Sequence, residues 1–412
     1  MSPTLPPAQR GFSRTAVMAL LGRSGPLSRV DIARQLGISS ATVTQITKQL
    51  LVEGLITEAD SVPSAGGRPA IRLMVVPAAG RAIGVKVAPD HVTLVHVTLD
   101  GTVTDSTTHP FDAFADDAVD RLVALLAPEV VQWPATAPLM GVGVGVPGRV
   151  GRDGIVDSPV LGWHALPLGR VLTRGLGLPV LVENDVNTVG IAQLLFGRGR
   201  ELDDFLVLTL GWGVGLSLVQ DGVLRRGASG AAGEIGHVPV TDNGRLCACG
   251  NRGCLEAYLS FAGLVRTAAE HGVLEAGDRP EALTALAEAG ESAALEVLRG
   301  AGRLLGRTVA GVINVADPQG VIVTGEGMSL WPYLSDGFEP ALSRHLFRPM
   351  DGVGVIADAW NDQVWAQGAA AVILSAPFTS PASENDPVDQ VRARITARAA
   401  RDAATARKDA SS

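Results

Sequence analysis

The chain has 412 residues, of which 46% are hydrophobic and 18% charged, as expected of a soluble globular protein with two or three domains. No apolar run reaches the eighteen or so residues of a membrane span, so the sequence predicts no membrane association. A net charge of −8 argues against a protein that binds nucleic acid over its whole surface. The first 80 residues, however, carry eight basic and four acidic side chains, and this asymmetry favours a nucleic-acid-binding end.

The first elements have the layout of a helix-turn-helix. Apolar residues recur at helical spacing in residues 14–23, and Ser28 is a suitable N-cap for a helix over Arg29–Leu36. Gly37 provides the positive φ of a short turn, and a second helix is predicted over residues 40–53. This order of helix, turn and helix is typical of DNA-binding domains.

The second of these helices has one apolar and one polar face. Val43, Ile46 and Leu50 lie on the face that would pack on the other helices. The opposite face carries hydroxyl, amide and ammonium groups, which suit base edges and phosphates. Residues 54–74 are predicted to form a two-stranded wing whose tip enters a minor groove. The candidate DNA-binding residues are Ser40, Thr42, Thr44, Gln45, Lys48 and, at the wing tip, Arg68. A small helical interaction module with a solvated polar face is the alternative.

From residue 81 onward, short apolar strands alternate with helices. The predicted strands are 82–87, 92–99, 140–146, 180–182, 205–210, 215–219 and 321–324, and the predicted helices are 116–126, 169–176, 186–196, a helical region within 255–315, and a final helix over 363–374. Strand, glycine turn and strand units that alternate with helices predict an α/β body of two lobes with a cleft between them.

All three cysteines fall within one eight-residue window. Cys247, Cys249 and Cys254 follow His237, and one imidazole with three thiolates is the ligand set of a closed tetrahedral zinc site. Glycines between the ligands allow the chain to fold around one ion. The alternative is a set of ordinary buried thiols beside a core histidine. Thiols committed to a metal predict a reducing compartment, and therefore a cytoplasmic protein.

Several short motifs together resemble those of the ROK family of repressors, open reading frames and sugar kinases. They are Gly66-Gly-Arg-Pro69, Val146-Pro-Gly148, Glu183-Asn-Asp185, Gly230–His237, Cys247–Glu256 and Ile313-Asn-Val-Ala-Asp-Pro318. The resemblance covers about residues 14–375, and it implies an actin-like, sugar-kinase-type (ribonuclease H-like) body after the winged helix. The winged helix is the part that resembles the family's repressors rather than its stand-alone kinases.

The resemblance also implies a set of sugar-binding residues. A sugar site needs donors and acceptors of mixed type, and the matching positions are Asn184, Asp185, Glu234, His237 and Glu256. The position of Asp185 holds the catalytic base in the family's kinases. Alternatively, Asp185 could serve only as a helix N-cap, and Glu256 could pair with Arg252 on the surface.

His237 is predicted both as a metal ligand and as a sugar-binding residue. Its spacing to the cysteines favours the metal, and its other nitrogen or its ring edge would then face the ligand. With all four ligand positions filled, no position remains for an activated water, so the zinc is predicted to be structural. It would hold the loop over residues 237–254 and position Glu234 and Glu256.

Three positions that contact ATP in the family's kinases differ in this chain. Lys86 replaces the acid of the first phosphate hairpin, Trp212 replaces the hydroxyl residue of the second phosphate loop, and Glu326 replaces a glycine at the nucleotide side. Phosphoryl transfer requires a phosphate cradle and a metal-binding carboxylate. The sequence therefore predicts a protein without kinase activity.

Together these observations predict a sugar-responsive transcriptional repressor. Its partners would be a double-stranded DNA operator and a monosaccharide effector, and it would form a homodimer or homotetramer. The predicted domains are a winged helix over residues 1–80, a sugar-sensing body over 81–375 and a disordered tail over 376–412. The alternatives are an active ATP-dependent sugar kinase with an appended DNA-binding domain, or a repressor controlled by a protein partner.

Overall fold

The computed structural model describes residues 14, 16–18, 20–22, 24–64, 67–131, 138–151, 153–275, 277–347, 353–375 and 391. Of the strand residues 60–64 and 67–69 it describes the backbone only. The predicted disordered tail, residues 376–412, lies outside this range apart from Val391. The chain divides into two compact units, one of Met1–Arg200 with Asp362–Ser412 and the other of Glu201–Asn361. The predicted boundary at residue 80 stays a prediction.

The first unit begins with a winged helix-turn-helix. Its elements are β1 (Leu27–Ser28), α1 (Arg29–Leu36), α2 (Ser40–Val52), β2 (Ile56–Ser64) and β3 (Gly67–Val75), and its sheet has the order β1-β3-β2 with antiparallel pairing. The Ser28 hydroxyl accepts a hydrogen bond from the Asp31 N–H, which confirms the predicted N-cap of α1. Gly37 ends α1 with a φ of 62°, which favours glycine. Strands β2 and β3 form the two-stranded wing that was predicted for residues 54–74.

The rest of the first unit is built on a mixed five-stranded sheet. Its elements are β4 (Arg81–Val87), β5 (His91–Thr98), β6 (Val103–Pro110), α3 (Ala118–Val131), β7 (Leu139–Val146), β8 (Arg149–Val150), β9 (Val156–Ser158), β10 (Trp163–Leu166), α4 (Leu168–Leu176), β11 (Val180–Asn184), α5 (Asp185–Leu195) and a last helix, Asp362–Ser375, called here the closing helix. The sheet order is β11-β7-β4-β5-β6, with β11, β7 and β4 parallel. A small antiparallel sheet has the order β10-β9-β8.

The second unit is also built on a mixed five-stranded sheet. Its elements are β12 (Phe205–Leu210), β13 (Val214–Gln220), β14 (Val223–Leu224), α6 (Glu256–Leu259), α7 (Phe261–Glu270), α8 (Pro280–Glu288), α9 (Ser292–Ala316), β15 (Gly320–Thr324), α10 (Trp331–His345) and β16 (Gly354–Ala357). Its sheet has the order β14-β13-β12-β15-β16, with β12, β15 and β16 parallel. The predicted α/β organisation is confirmed. The sequence patterns did not predict β6, β16 and α10, or the short strands β1, β8, β9, β10 and β14.

One hydrophobic core joins the winged helix to the sheet of the first unit. Leu50 and Leu73 of the winged helix belong to the same buried cluster as Val95 of β5 and Ala370 and Ile373 of the closing helix, and all five are fully buried. Burying a side chain of this size contributes about 1.5–3 kcal/mol. We call this cluster the shared core.

The closing helix lies very close to the sheet beneath it. A Cβ on Gly84 would lie 1.9 Å from the carbonyl oxygen of Ala366, and a Cβ on Gly143 would lie 1.8 Å from that of Ala369. Glycine is therefore required at both strand positions, because any larger residue would push the helix outward. The sheet and the closing helix consequently form one close-packed body.

Candidate functional site

The predicted metal ligands come together in the second unit. The ligand atoms of His237, Cys247, Cys249 and Cys254 all lie within 4.8 Å of one another. Cys247 Sγ lies 3.6 Å from His237 Nδ1, and Cys249 Sγ lies 3.7 Å from Cys254 Sγ. One imidazole and three thiols at these separations can hold a metal ion. We call residues 237–254, which carry these ligands, the metal loop.

The metal loop has little regular structure. Two isolated bridges, Pro239 to Cys254 and Leu246 to Arg252, are its β-type pairings among the described residues. Gly253 has a φ of 76°, and a Cβ there would lie 2.0 Å from the Thr241 carbonyl oxygen. Position 253, directly before the ligand Cys254, can therefore hold only a glycine.

Arg245 attaches the metal loop to the helices that follow it, and its side chain is 11% exposed. The guanidinium donates hydrogen bonds to the carbonyls of Ala257 and Gly263, pairs with Glu270 and lies 4.6 Å over the Tyr258 ring. Charge-assisted hydrogen bonds of this kind are stronger than neutral ones. The sequence analysis missed Arg245, although an arginine within a predicted metal loop is a signal that could have been weighed.

The thiols of the metal loop are not equivalent. Burial raises the pKa of Cys247, and it raises the pKa of Cys254 to about 12. The pKa of Cys249 is lowered because hydrogen bonds from the Asn251 backbone and from its two neighbouring thiols outweigh the opposing effect of burial. Without a cation, the two buried sulfurs hold their protons, so a metal ion must displace these protons on binding.

His237 faces two groups at once. Its Nδ1 points to Cys247, whereas its Nε2 lies 3.9 Å from Glu234 Oε2. The ring can therefore contribute one nitrogen to the metal cluster and turn the other toward a predicted sugar-binding carboxylate. Burial raises the pKa of Glu234, His237 opposes that shift and nearby Glu256 adds to it.

Glu256 begins α6 directly after the metal loop. Its Oε2 accepts a hydrogen bond from the Val214 N–H at 3.4 Å and would lie 3.1 Å from a Cβ on Gly213. The predicted alternative, an ion pair with Arg252, is not formed in the described part of the chain, since Arg252 donates to the Gly244 carbonyl instead. Glu234, His237 and Glu256 therefore form one group in the second unit.

Asn184 and Asp185 form the other predicted group, at the junction of β11 and α5 in the first unit. Asn184, not Asp185, is the N-cap: its Oδ1 accepts from the Asn187 N–H at 3.0 Å, and its Nδ2 donates to the Gly148 carbonyl at 2.9 Å. Asp185 is the first helical residue, and its Oδ1 accepts from the Val186 N–H. Both side chains are half-buried.

The lysine at the first altered phosphate position is buried. Lys86 is 5% exposed, its Nζ lies 2.5 Å from Asp362 Oδ1 of the closing helix, and it sits 4.6 Å over the Trp365 ring. His91 Nε2 is 3.3 Å from the other oxygen of the same carboxylate. The ion pair between Lys86 and Asp362 therefore connects β4 to the closing helix.

Carboxylates lie against the second altered loop, residues 211–213. A Cβ on Gly211 would be 2.1 Å from Glu326 Oε2, so this carboxylate packs on the loop backbone, as Glu256 does at Gly213. The side chain of Trp212 is 70% exposed and meets Phe261 edge to face, with the ring centroids 5.6 Å apart. Carboxylates therefore flank residues 211–213 on both sides.

The predicted DNA-binding face of α2 is arranged as expected. Val43, Ile46 and Leu50 are buried, as predicted. Thr42 is half-buried and joins the Ser39 hydroxyl at 2.8 Å in the N-cap of α2. Ser40, Thr44, Gln45 and Lys48 are exposed, and the Thr44 hydroxyl donates to the Ser40 carbonyl. Arg68 is the second residue of β3, and its side chain lies outside the described part of the structure.

The fold and these sites define a class: a winged helix followed by a two-unit α/β body with a cysteine and histidine loop. The ROK family model matches residues 82–376, and the MarR family model matches residues 13–62. The chain belongs to the ROK family. No helix among the described residues is long and apolar enough to cross a membrane.

Curated relatives and solved structures agree with this assignment. The xylose repressor of Bacillus subtilis (strain 168) is 26% identical over 85% of this chain and 92% of its own length. The transcriptional dual regulator NagC of Escherichia coli (strain K12) is 29% identical over 76% and 80%. A ROK family regulator described as a homologue of E. coli MLC shares the fold, with a TM-score of 0.75, 24% identity and coverage of 94% and 99%. A ROK family glucokinase of Streptomyces griseus gives a TM-score of 0.63 at 27% identity, with coverage of 71% and 99%, which confirms the predicted sugar-kinase-type body.

Proposed function

We propose that this protein is a DNA-binding transcriptional repressor whose affinity for its operator changes when a monosaccharide binds. The observation that carries the proposal is the shared core: the closing helix contributes to the core of the winged helix and also packs on α5, which begins next to Asn184. Relatives named xylose repressor and N-acetylglucosamine repressor support the same function.

The contact between α5 and the closing helix supplies the physical connection. Thr188 donates to the Asp185 carbonyl at 2.6 Å and to the Trp365 carbonyl at 3.3 Å, and a Cβ on Gly368 would lie 2.1 Å from the Thr188 carbonyl oxygen. No free space separates the two helices at this contact, so a shift of α5 must move the closing helix. A ligand produces that shift only through different affinities for the two positions.

Sugar binding is assigned to the five predicted residues. Asn184 and Asp185 in the first unit, and Glu234, His237 and Glu256 in the second, offer the amide, carboxylate and imidazole groups that sugar hydroxyls require. Two observations favour these residues: their side chains are half-buried, and Glu234 has a raised pKa in a partly desolvated position.

The metal is proposed to be a structural Zn²⁺. Tetrahedral zinc with bonds of about 2.3 Å to sulfur and about 2.0 Å to nitrogen places sulfurs about 3.8 Å apart and sulfur about 3.5 Å from nitrogen. The separations of 3.7 Å between Cys249 and Cys254 and of 3.6 Å between Cys247 and His237 fit these values. Three thiolates and one imidazole would fill every position, so the ion would fix Glu256 and Glu234 rather than activate water.

Kinase activity is not part of the proposal. The buried Lys86 is paired with Asp362, where it holds the closing helix, and carboxylates flank residues 211–213. Phosphoryl transfer requires the opposite arrangement, with a carboxylate for magnesium and positive or neutral groups around the phosphates.

Operator recognition is assigned to the exposed face of α2 and to the wing. A homodimer or homotetramer would place two such helices on half-sites one helical turn or a multiple apart. A DNA-binding protein with a thiolate metal site works in the reducing cytoplasm.

The test measures operator binding by fluorescence anisotropy on the DNA upstream of the gene, with and without monosaccharides that raise the melting temperature of the pure protein. A cognate sugar is expected to change the operator Kd by about 5–150-fold. Asp185→Asn should abolish that change, whereas Asp153→Asn, an exposed aspartate in the same unit, should preserve it.

Two results would contradict this function. Sugar-dependent ADP release from ATP and magnesium would show an active kinase. DNA binding that no sugar alters, but that a captured protein partner abolishes, would show a repressor controlled by that partner.

A further inference from the structure

A basic groove runs between α9 and α10 of the second unit. Arg299, Arg303 and Arg307 are four residues apart on one face of α9, and Arg344 faces them from α10 across a cavity of about 580 Å³. We call this the arginine groove. No motif of the sequence analysis includes it.

Glycines create the space for these side chains. A Cβ on Gly302 would lie 2.0 Å from the Leu334 carbonyl oxygen, and a Cβ on Gly337 would lie 2.0 Å from that of Arg299. The two helix backbones therefore touch along their length, and long side chains can emerge only at the margins of the contact. The arginine side chains therefore lie above a rigid contact between α9 and α10.

The groove is positively charged on a protein with a net charge of −8. Glu296 binds Arg299 at 2.8 Å and Arg303 at 2.7 Å, and these contacts lower its pKa. Arg307 donates to the Val240 carbonyl at 3.3 Å. Arg344 has no hydrogen bond or ion pair within the described part of the chain. Asp336 lines the same cavity. The arginine groove therefore has four guanidinium groups and, among the described residues, only two carboxylates, those of Glu296 and Asp336.

We propose that the arginine groove binds the phosphate group of a small phosphate ester. Guanidinium forks match phosphate oxygens in pairs and remain charged at any physiological pH. Leu304 and Pro340 line the same cavity and offer an apolar wall for the organic part. The cavity volume is that of a site for one small molecule rather than for a peptide or a nucleic-acid strand.

The arginine groove also contacts the segment that carries the metal loop. The Val240 carbonyl accepts from Arg307, and the Val240 N–H donates to the Gly253 carbonyl at 2.8 Å, beside the metal ligand Cys254. A bound phosphate competes for the Arg307 guanidinium and weakens its bond to Val240. Phosphate binding therefore loosens this edge of the metal loop.

The test is calorimetry on the full-length protein, with inorganic phosphate and glucose 6-phosphate as ligands and glucose as the control. The double variant Arg303→Ala/Arg344→Ala is compared with Arg121→Ala/Arg266→Ala. The second pair removes the same charge from exposed helical arginines paired elsewhere, with Asp117 and Glu270. We expect both phosphate ligands to bind, and the groove variant to raise their Kd at least about tenfold while the control variant leaves it unchanged.

Hydrogen exchange provides a second readout. Phosphate should speed amide exchange at Val240 in the wild type and not in the groove variant. The ester should bind more tightly than inorganic phosphate because of the apolar wall. Wild-type protein that binds neither ligand, an equal loss in both double variants, or a groove variant that loses only operator affinity would each overturn the proposal, the last by showing a contact to DNA.

Discussion

The metal loop and the shared core are two regions of one chain that are stabilised in opposite ways. In the metal loop, two isolated bridges and four side chains with metal-ligand chemistry define the path of residues 237–254. In the shared core, more than twenty buried apolar side chains from the winged helix, β5, β7 and the closing helix pack together. The metal ion proposed for the first region would stabilise it through a few strong bonds, whereas many weak contacts stabilise the second.

The two regions are therefore expected to be sensitive to different substitutions. With the proposed metal ion bound, losing one ligand would remove most of the energy that holds the metal loop, whereas losing one methyl group from the shared core would cost a small part of the total. The closing helix is instead sensitive to added volume, because its closest contacts with the sheet and with α5 are backbone to backbone at Gly84, Gly143 and Gly368. The following predictions test this contrast in order of decreasing expected effect.

Removing a metal ligand should have the largest effect. Cys254→Ala is expected to reduce bound zinc from about one ion per chain to nearly none, since structural zinc contributes about 10–16 kcal/mol in small zinc peptides. Sugar binding should fall with it, because Glu256 begins the helix that follows Cys254. Elemental analysis and calorimetry measure the two effects. Leu246→Ala, an exposed residue of the same loop, is the control and should retain the metal.

The operator Kd of the Cys254→Ala protein without sugar tests whether the two regions are independent. It should stay close to that of the wild type, since the winged helix belongs to the shared core. Loss of DNA binding together with the metal would contradict the separation of the two regions.

A methyl group added to the closing helix should have the next largest effect. Gly368→Ala forces a Cβ against the Thr188 carbonyl, and overpacking of this kind costs about 1–3 kcal/mol. We expect a lower melting temperature and a weaker change of operator Kd on sugar binding. Gly311→Ala, at a helical glycine with open space around it, should be neutral or slightly stabilising. Equal effects of the two substitutions would show that the close contact carries no signal.

Lys48→Ala tests the polar face of α2. An exposed ammonium on a recognition helix contacts phosphate, so its loss should weaken operator binding about equally on all DNA sequences and reduce the slope of log K against log salt by about 1. Anisotropy titrations at several salt concentrations measure the slope. Gln35→Ala, exposed on α1, is the neutral control, and an unchanged slope for Lys48→Ala would remove this residue from the interface.

The smallest effect is expected from the N-cap of α2. Ser39→Ala removes the acceptor for the Thr42 N–H, which typically costs about 0.5–2 kcal/mol. Thermal unfolding should show the loss in the first unit with no change in zinc content. A change in metal content would mean that the two regions are coupled more tightly than their separate contacts indicate.

Local signals in the sequence were sufficient for the elements and for the metal ligands. Gly37 and Ser28 fix the ends of α1 through their own backbone chemistry, and the three cysteines lie within one short window. The partner of Lys86 could not be predicted in this way, because Asp362 is 276 residues distant along the chain. Neither could the N-cap role of Asn184, since Asn and Asp are equally good caps and only the geometry distinguishes them.

Irregular and edge elements were also beyond the sequence analysis. In strand β6 every third residue, from Val103 on, is half-buried and the others are exposed, and half of its side chains carry hydroxyl groups, so it lacks the apolar run that marked β5. The anchoring role of Arg245 depends on carbonyls of α6 and α7 that approach it only after the metal loop has folded. Tertiary contacts, rather than propensity, decide such cases.

The shared core also orders events during synthesis. A ribosome releases the winged helix first, yet Leu50 and Leu73 belong to a buried cluster that also includes Ala370 and Ile373, which emerge some three hundred residues later. At a synthesis rate of about 5–20 residues per second, at least about fifteen seconds pass before the closing helix can pack with the winged helix. A nascent chain therefore exposes apolar surface at its DNA-binding end until the closing helix arrives, and a message cut short before that helix yields a regulator with an incomplete reader.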